Sequence, residues 1–134
     1  MQDILFKYLS NSSNLTDKDK WRIINIYREK ELLKNEFLFK QGEVSNDFFF
    51  ICEGILRLYR KVEDEEVTLQ FIFPSSFMAS ISSMIYGKPS KFNVQALTNC
   101  KLLYVNHDIH HKLVVNNTSI FSFYEKSPIY KAGS

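Results

Sequence analysis

Short strand-forming segments, separated by polar or glycine-containing turns, recur along the chain between Phe37 and Val105. In several of them apolar and polar residues alternate, as expected for strands with one buried face. The segments are Phe37–Lys40, Phe48–Ile51, Leu56–Lys61, Val67–Phe73, Phe92–Ala96 and Lys101–Val105. Short strands at near-regular spacing predict a barrel or a sandwich.

The segment from Leu56 to Phe73 predicts a hairpin whose tip is the acidic run Glu63–Glu66. Apolar residues alternate with polar ones on both sides of that run, which predicts one buried face for the whole hairpin. The apolar residues expected on that face are Leu56, Leu58, Val67, Leu69, Phe71 and Phe73.

Helical spacing flanks the strands at both ends. Apolar residues between Ile4 and Leu9 predict a first helix, and Thr16 followed by Asp19 fits a capping box that begins a second helix, over about Asp17–Arg28. Near the other end, Asn106 is the expected cap of a helical segment, and Thr118 is expected to begin another, which Pro128 stops. Ala79–Tyr86, between two strands, predicts a short helix or loop.

These elements predict one mainly β domain over residues 1–134 with flanking helices. Helices occupy about 1–30, the barrel about 31–105 and a helical tail about 106–127. The closing Lys131–Ser134 is small and polar, and we expect it to contribute nothing to the fold.

Composition excludes several classes of protein. Lys and Arg number 17 against 15 Asp and Glu, so the chain lacks the basic excess of a stand-alone nucleic-acid binder. Cys52 and Cys100 are isolated, which predicts reduced core residues and neither a disulfide framework nor a zinc site. The first residues lack the pattern of a signal peptide, and no segment is apolar enough to span a membrane, so we expect a cytoplasmic protein.

The run Leu38–Glu43, followed by Phe48–Ile51, Gly54 and Leu56–Tyr59, resembles the opening of a cyclic-nucleotide-binding domain of the Crp/Fnr type. The resemblance extends over roughly 33–113. It implies a double-stranded β-helix, or jelly-roll barrel, with glycines in two early turns. Those glycines would be Gly42 and Gly54, each at a turn that needs a positive φ or a close backbone approach.

Nucleotide-binding members of that family carry a phosphate cassette with a Glu for the ribose hydroxyl and an Arg for the phosphate. The resemblance places the Glu position at Ser80 and the Arg position at Ser90, so both charged groups are absent here. Lys91 cannot reproduce the two-pronged contact of an arginine, and Phe92 stands where nucleotide binders have a small residue. We therefore expect no standard binding of cyclic AMP.

The degenerate cassette is nevertheless the expected ligand site. A small polar pocket there would be lined by Ser80, Ser82, Ser83, Tyr86, Ser90, Lys91 and Asn93. Its ligand is an unknown small molecule or none, and we expect no cofactor.

The resemblance implies the effector or sensor domain of a Crp/Fnr-type transcription regulator. Only about 20 residues follow Val115, fewer than a helix-turn-helix with its supporting helices needs. We therefore expect contact with DNA only through a domain absent from this chain, and homodimer formation stays open.

Two alternatives remain. His107 and His111 have the i, i+4 spacing that presents two imidazoles on one helix face, so a small cupin-like metal-dependent enzyme is one of them. No third ligand is evident, and a solvated helix face is favoured, so we expect no metal site and no enzyme activity. The other is a stand-alone barrel for protein interaction.

Overall fold

The structure of the protein is a computed structural model that describes residues 1–132. Five helices lie in the described part of the chain, at Gln2–Leu9 (α1), Asp17–Asn25 (α2), Ile81–Tyr86 (α3), His107–Val115 (α4) and Thr118–Lys126 (α5). The strands are Arg28–Leu32 (β1), Phe37–Phe39 (β2), Asp47–Glu53 (β3), Leu56–Val62 (β4), Glu65–Ile72 (β5), Ser76–Ser80 (β6), Asn93–Ala96 (β7), Cys100–Asn106 (β8) and Ile129–Ala132 (β9).

The strands form two sheets with a roll topology. One sheet has the order β1-β8-β3-β6-β9 and the other the order β2-β7-β4-β5. All pairs are antiparallel except β6 with β9, which is parallel. The predicted mainly β jelly-roll class is confirmed, although the sheets do not close into a barrel.

The central position of strand β3 explains why residues Phe48–Ile51 are all apolar. It lies between β6 and β8, and both of its faces are covered. Phe48 and Phe50 face a core shared with the helices, whereas Phe49 and Ile51 face the core between the two sheets. A strand buried on both faces needs continuous apolar sequence rather than alternation.

The helices cover the outer face of the five-stranded sheet. Helix α2 begins at the predicted capping box, in which the Asp19 amide donates to the Thr16 hydroxyl and the Thr16 amide donates to the Asp19 carboxylate. Behind it, the buried hydroxyls of Tyr27 and Tyr124 lie 2.9 Å apart and join α2's end to α5. Within residues 1–132, no helix is long and apolar enough to cross a membrane.

The predicted buried face of the hairpin is wrong for β5. Leu56 and Leu58 of β4 are buried, but every residue of β5 except Ile72 is exposed. The reason is that β7 pairs with β4 only over Leu56–Tyr59, and β5 is an edge strand. No sheet lies opposite the outer half of the hairpin. The apolar side chains left exposed are Val67, Leu69, Phe71 and Phe73.

Two further differences concern the elements near the ends of the chain. Helix α2 ends at Asn25 rather than near Arg28, because the chain turns there into β1, a polar strand that pairs with β8. The sequence analysis also missed β9, which includes part of the segment that we excluded. The last two residues of that segment, Gly133 and Ser134, lie outside the described residues.

Gly54 is the turn glycine at which an added side chain would be tolerated least. Its φ is +91°, and a Cβ atom built there would lie 2.5 Å from the Asn99 carbonyl oxygen and 2.6 Å from the Cys100 sulfur. Gly42 also has a positive φ, +87°, but a Cβ there would meet nothing within 4 Å. The two turn glycines predicted from the sequence therefore serve different needs. Gly54 has a positive φ and leaves no room for a Cβ atom, whereas Gly42 has only the positive φ.

We expect Gly54→Ala to lower the free energy of unfolding by about 3 kcal/mol or more, because backbone strain adds to a collision with rigid backbone atoms. Gly42→Ala is the matched control and should cost about 1 kcal/mol from strain alone. Urea titrations of both variants measure the difference. Equal losses would contradict the close approach at Gly54.

Candidate ligand site

The predicted site lies where β6 passes into α3 and the chain returns to β7. Ser80 is the last residue of β6 and precedes the first turn of α3, on which Ser82 and Ser83 lie. The side chains of all three are buried, and Ser80 is fully so. The structure thus gathers three of the predicted site residues at the start of one short helix.

The hydroxyl of Ser83 has every hydrogen bond that it can form. It accepts from the Ser45 amide at 2.9 Å and from the Ser80 hydroxyl at 3.4 Å, and it donates to the Lys88 carbonyl at 2.8 Å. A hydroxyl has one proton to donate and two lone pairs to accept with, so this set is complete. Ser83 therefore connects α3 to two loops, the one before β3 and the one after α3.

Ser90 is bonded to the same loop before β3. Its carbonyl accepts from the Gly42 amide at 2.9 Å, and its amide donates to the Glu43 carbonyl at 2.7 Å. Its hydroxyl turns back on its own segment, where it donates to the Phe92 carbonyl at 2.8 Å. Ser90 is only 4% exposed, so this residue is a buried part of the loop and not a surface hydroxyl.

Asn93 forms a third connection to that loop. Its side-chain oxygen accepts from the Gln41 amide, and its side-chain nitrogen donates to the Gln41 side-chain oxygen at 2.9 Å. The same oxygen of Gln41 accepts from the Lys61 amide at 2.9 Å. Asn93 is therefore engaged in holding β7, the loop and β4 together.

The remaining predicted site residues lie at the surface. Tyr86, at the end of α3, is 68% exposed, and Lys91 is exposed as well. Phe92 is half-buried and packs against the core between the two sheets. The aromatic ring at this position thus contributes to the core, which the sequence analysis did not predict.

The sequence analysis missed the loop between β2 and β3 as the partner of the site. Four residues of this loop, Gln41, Gly42, Glu43 and Ser45, bond to the predicted site residues. The polar residues that follow Gly42 indicated a turn but not its partners, which lie 38 to 52 residues away in sequence.

The buried polar groups of this site are neutral. Ser80, Ser82, Ser83 and Ser90 provide hydroxyls, and no salt bridge in the described part of the chain involves a residue between 80 and 93. A neutral hydroxyl stabilises an anion less than a guanidinium does, because charge-assisted hydrogen bonds are about twice as strong. These residues therefore supply no charged partner for a phosphodiester.

The histidines of α4 lie in different environments. His107 and His111 have ring centroids 5.9 Å apart, but among residues 1–132 no group of three or more His, Cys, Asp or Glu side chains could hold a metal ion. His110 is buried, so the solvated helix face expected for these histidines is wrong at this position. Its ring stacks on Phe48 at 4.3 Å and contacts Tyr124 edge-on at 4.6 Å.

The sequence matches the cyclic nucleotide-binding domain family over residues 29–117. The chain belongs to this family, as the resemblance predicted. A search among curated protein sequences found no match.

Solved structures share the fold at low sequence identity. The regulatory domain of Toxoplasma gondii PKA with cAMP is 19% identical, with a TM-score of 0.71 over 84% of this chain and 44% of that one. Thermus thermophilus Catabolite Activator Protein is 15% identical, with a TM-score of 0.73 over 84% and 53%. The N-terminal domain of a transcriptional regulator from Streptomyces coelicolor A3(2) is 21% identical, with a TM-score of 0.72 over 92% and 89%. The chain spans about half the length of the first two.

His110 generates a prediction about acid stability. Burial, together with the smaller effects of the neighbouring His107 and His111, lowers the pKa of His110 from 6.5 to about 4. Between these values the unfolded chain binds a proton that the folded chain does not, so stability falls as the pH falls from about 6.5 to about 4. We expect a loss of about 2 to 3 kcal/mol from this group.

The measurement is the free energy of unfolding by urea at pH 7.5 and pH 4.5. His110→Phe keeps an aromatic ring against Phe48 without a titrating group and should show a smaller pH dependence than the unmodified protein. Val115→Ala, at an exposed and non-titrating position of the same helix, is the control and should leave that dependence nearly unchanged. An unchanged pH dependence in His110→Phe would contradict the assignment.

Proposed function

We propose that this chain is the effector domain of a Crp/Fnr-type transcription regulator and that it does not bind cyclic AMP in the standard way of its family. Membership of the cyclic nucleotide-binding domain family supports the first part. Two structures with the same fold are the Catabolite Activator Protein and a transcriptional regulator's N-terminal domain, which favours a regulatory role. DNA would be contacted through a domain that is not in this chain.

The observation that carries the second part is the state of Ser80 and Ser90. At the two positions where the family's nucleotide binders have an acid and an arginine, this chain has buried serines, 0% and 4% exposed. The Ser90 hydroxyl is bonded to its own segment, and the Ser80 hydroxyl is bonded to Ser83. Neither supplies a charge, and neither hydroxyl is free of internal bonds.

The energetic consequence follows from the two lost contacts. A hydrogen bond to a charged group contributes about 1.5 to 3 kcal/mol, so losing two of them weakens binding by roughly a hundredfold or more. A ligand at this site would be a small neutral molecule that contacts Ser80 or Ser82, because the Ser83 hydroxyl is already fully bonded, and a domain with no small ligand fits the same chemistry. Tyr86 and Lys91 would then lie at the edge of the site.

A second candidate function is protein interaction by a stand-alone domain. The exposed Leu69, Phe71 and Phe73 favour it, because a contiguous apolar surface on a folded domain is typical of a docking site. The parent gene distinguishes the two candidates, since a Crp/Fnr-type regulator is encoded together with a DNA-binding domain and a stand-alone interaction module is not.

We expect calorimetric titration of the protein with cyclic AMP and cyclic GMP to give no stoichiometric binding at micromolar concentrations. The comparison variant is Ser80→Glu/Ser90→Arg, which restores both charged groups and should bind cyclic AMP at least about a hundredfold more tightly, provided that circular dichroism shows it folded. Tight stoichiometric binding by the unmodified protein would overturn the proposal, whatever the variant does.

A further inference from the structure

Helices α2 and α4 enclose a groove that the proposed ligand site does not use. It consists of two adjoining cavities, of about 440 Å³ and 220 Å³, which share Ile26 and Ile109. Ile109 lies at the junction and is 51% exposed, a large apolar side chain in contact with solvent. We call this surface the α2–α4 groove.

The lining of the α2–α4 groove is positively charged. Arg22 and Lys112 line the larger cavity, and Arg28 lines the smaller one. Asp47 is the one carboxylate among the lining residues. Three cations around an exposed isoleucine fit a partner that carries acidic side chains next to apolar ones.

The tip of the β4–β5 hairpin has the complementary character. Residues 63–66, which we call the acidic tip, are Glu-Asp-Glu-Glu and are all exposed. Val62 and Val67 flank the tip, and each is 43% exposed. Glu66 pairs with Arg57 at 2.8 Å, whereas no salt bridge within the described residues involves the other three acids.

The tip is also poorly supported within its own chain. Strand β7 pairs with β4 only as far as Tyr59, so β4 and β5 continue beyond it as a two-stranded ribbon. All residues from Arg60 to Phe71 are exposed. A two-stranded ribbon is marginally stable alone, and contact with another surface would stabilise it.

We propose that the acidic tip of one copy of this protein docks in the α2–α4 groove of a second copy. The carboxylates of Glu63 and Glu65 meet Arg28 and Lys112, while the flanking valines cover Ile109. Because the tip is exposed in the single chain, it does not occupy the groove of its own copy.

Each copy has one tip and one groove, so the proposed dimer contains two equivalent contacts related by a two-fold axis. Each contact is small and largely polar, which makes the dimer reversible. The attraction between exposed charges also makes it sensitive to salt, because the screening length falls from about 8 Å at 0.15 M to about 3 Å at 1 M ionic strength.

Sedimentation velocity over a range of protein concentrations tests the proposal. The unmodified protein should show a monomer–dimer equilibrium that shifts toward monomer in 1 M salt. A groove-reversed variant, Arg28→Glu/Lys112→Glu, and a tip-reversed variant, Glu63→Lys/Glu65→Lys, should each weaken the dimer by about tenfold or more, since two attractions become repulsions.

An equimolar mixture of the two variants is the decisive sample. In that mixture the unchanged acidic tip of one variant meets the unchanged basic groove of the other, and the reversed tip meets the reversed groove. The mixture should therefore dimerise although neither variant does so alone. Lys7→Glu/Lys34→Glu changes net charge as the groove reversal does, but away from the groove, and should dimerise normally.

Three results would overturn the proposal. The first is a protein that stays monomeric at every concentration in low salt. The second is a mixture that fails to dimerise although circular dichroism shows both variants folded. The third is a dimer that survives both reversals but is lost in Phe71→Asp, which would assign the interface to the exposed face of β5.

Discussion

The bonding of the β2–β3 loop to the segment between β6 and β7 determines what this roll can do. The loop is fastened at three places. The side chains of Ser83 and Asn93 accept from loop amides, and the backbone of Ser90 exchanges hydrogen bonds with the loop backbone. Buried backbone groups must be paired, and here the site residues pair them. Ser83 and Ser90 therefore have a structural role that does not require a ligand.

This bonding explains why a family scaffold can persist without the family's charged cassette. An arginine or a glutamate at the positions of Ser90 and Ser80 would have to be buried and would need a counter-charge, which a bound cyclic nucleotide supplies in part. Serine at both positions removes that requirement, because each hydroxyl finds a partner within the chain. Stability of the segment thus does not depend on a ligand, and the proposed loss of affinity for a phosphodiester follows from the same two positions.

Local sequence signals predicted the elements whose causes are local. The capping box at Thr16 and the apolar run at Phe48–Ile51 are examples, since a helix start and a doubly buried strand each follow from a few neighbouring residues. The turn glycines belong to this group too, although the collision that makes Gly54 different from Gly42 involves Asn99, 45 residues later. For the predicted site, the sequence named residues such as Ser83 and Ser90 but not their partners in the β2–β3 loop.

Elements whose environment depends on distant partners were not predicted. Strand β1 is polar and forms only because β8 lies beside it, and β5 alternates like a buried strand although nothing covers it. His110 is similar, because its burial comes from Phe48 and Tyr124 on other elements. The alternation in a sequence reports which face could be buried, and the topology decides whether it is.

Amide hydrogen exchange at Ser45, measured by NMR in Ser83→Ala, tests most directly whether the serine hydroxyls hold the site together. The Ser45 amide donates to the Ser83 hydroxyl, so its exchange should become about tenfold faster in the variant, which corresponds to the loss of one hydrogen bond. The Ser90 amide, which donates to the Glu43 carbonyl, should change much less. Equal exchange rates at Ser45 in the two proteins would contradict the account.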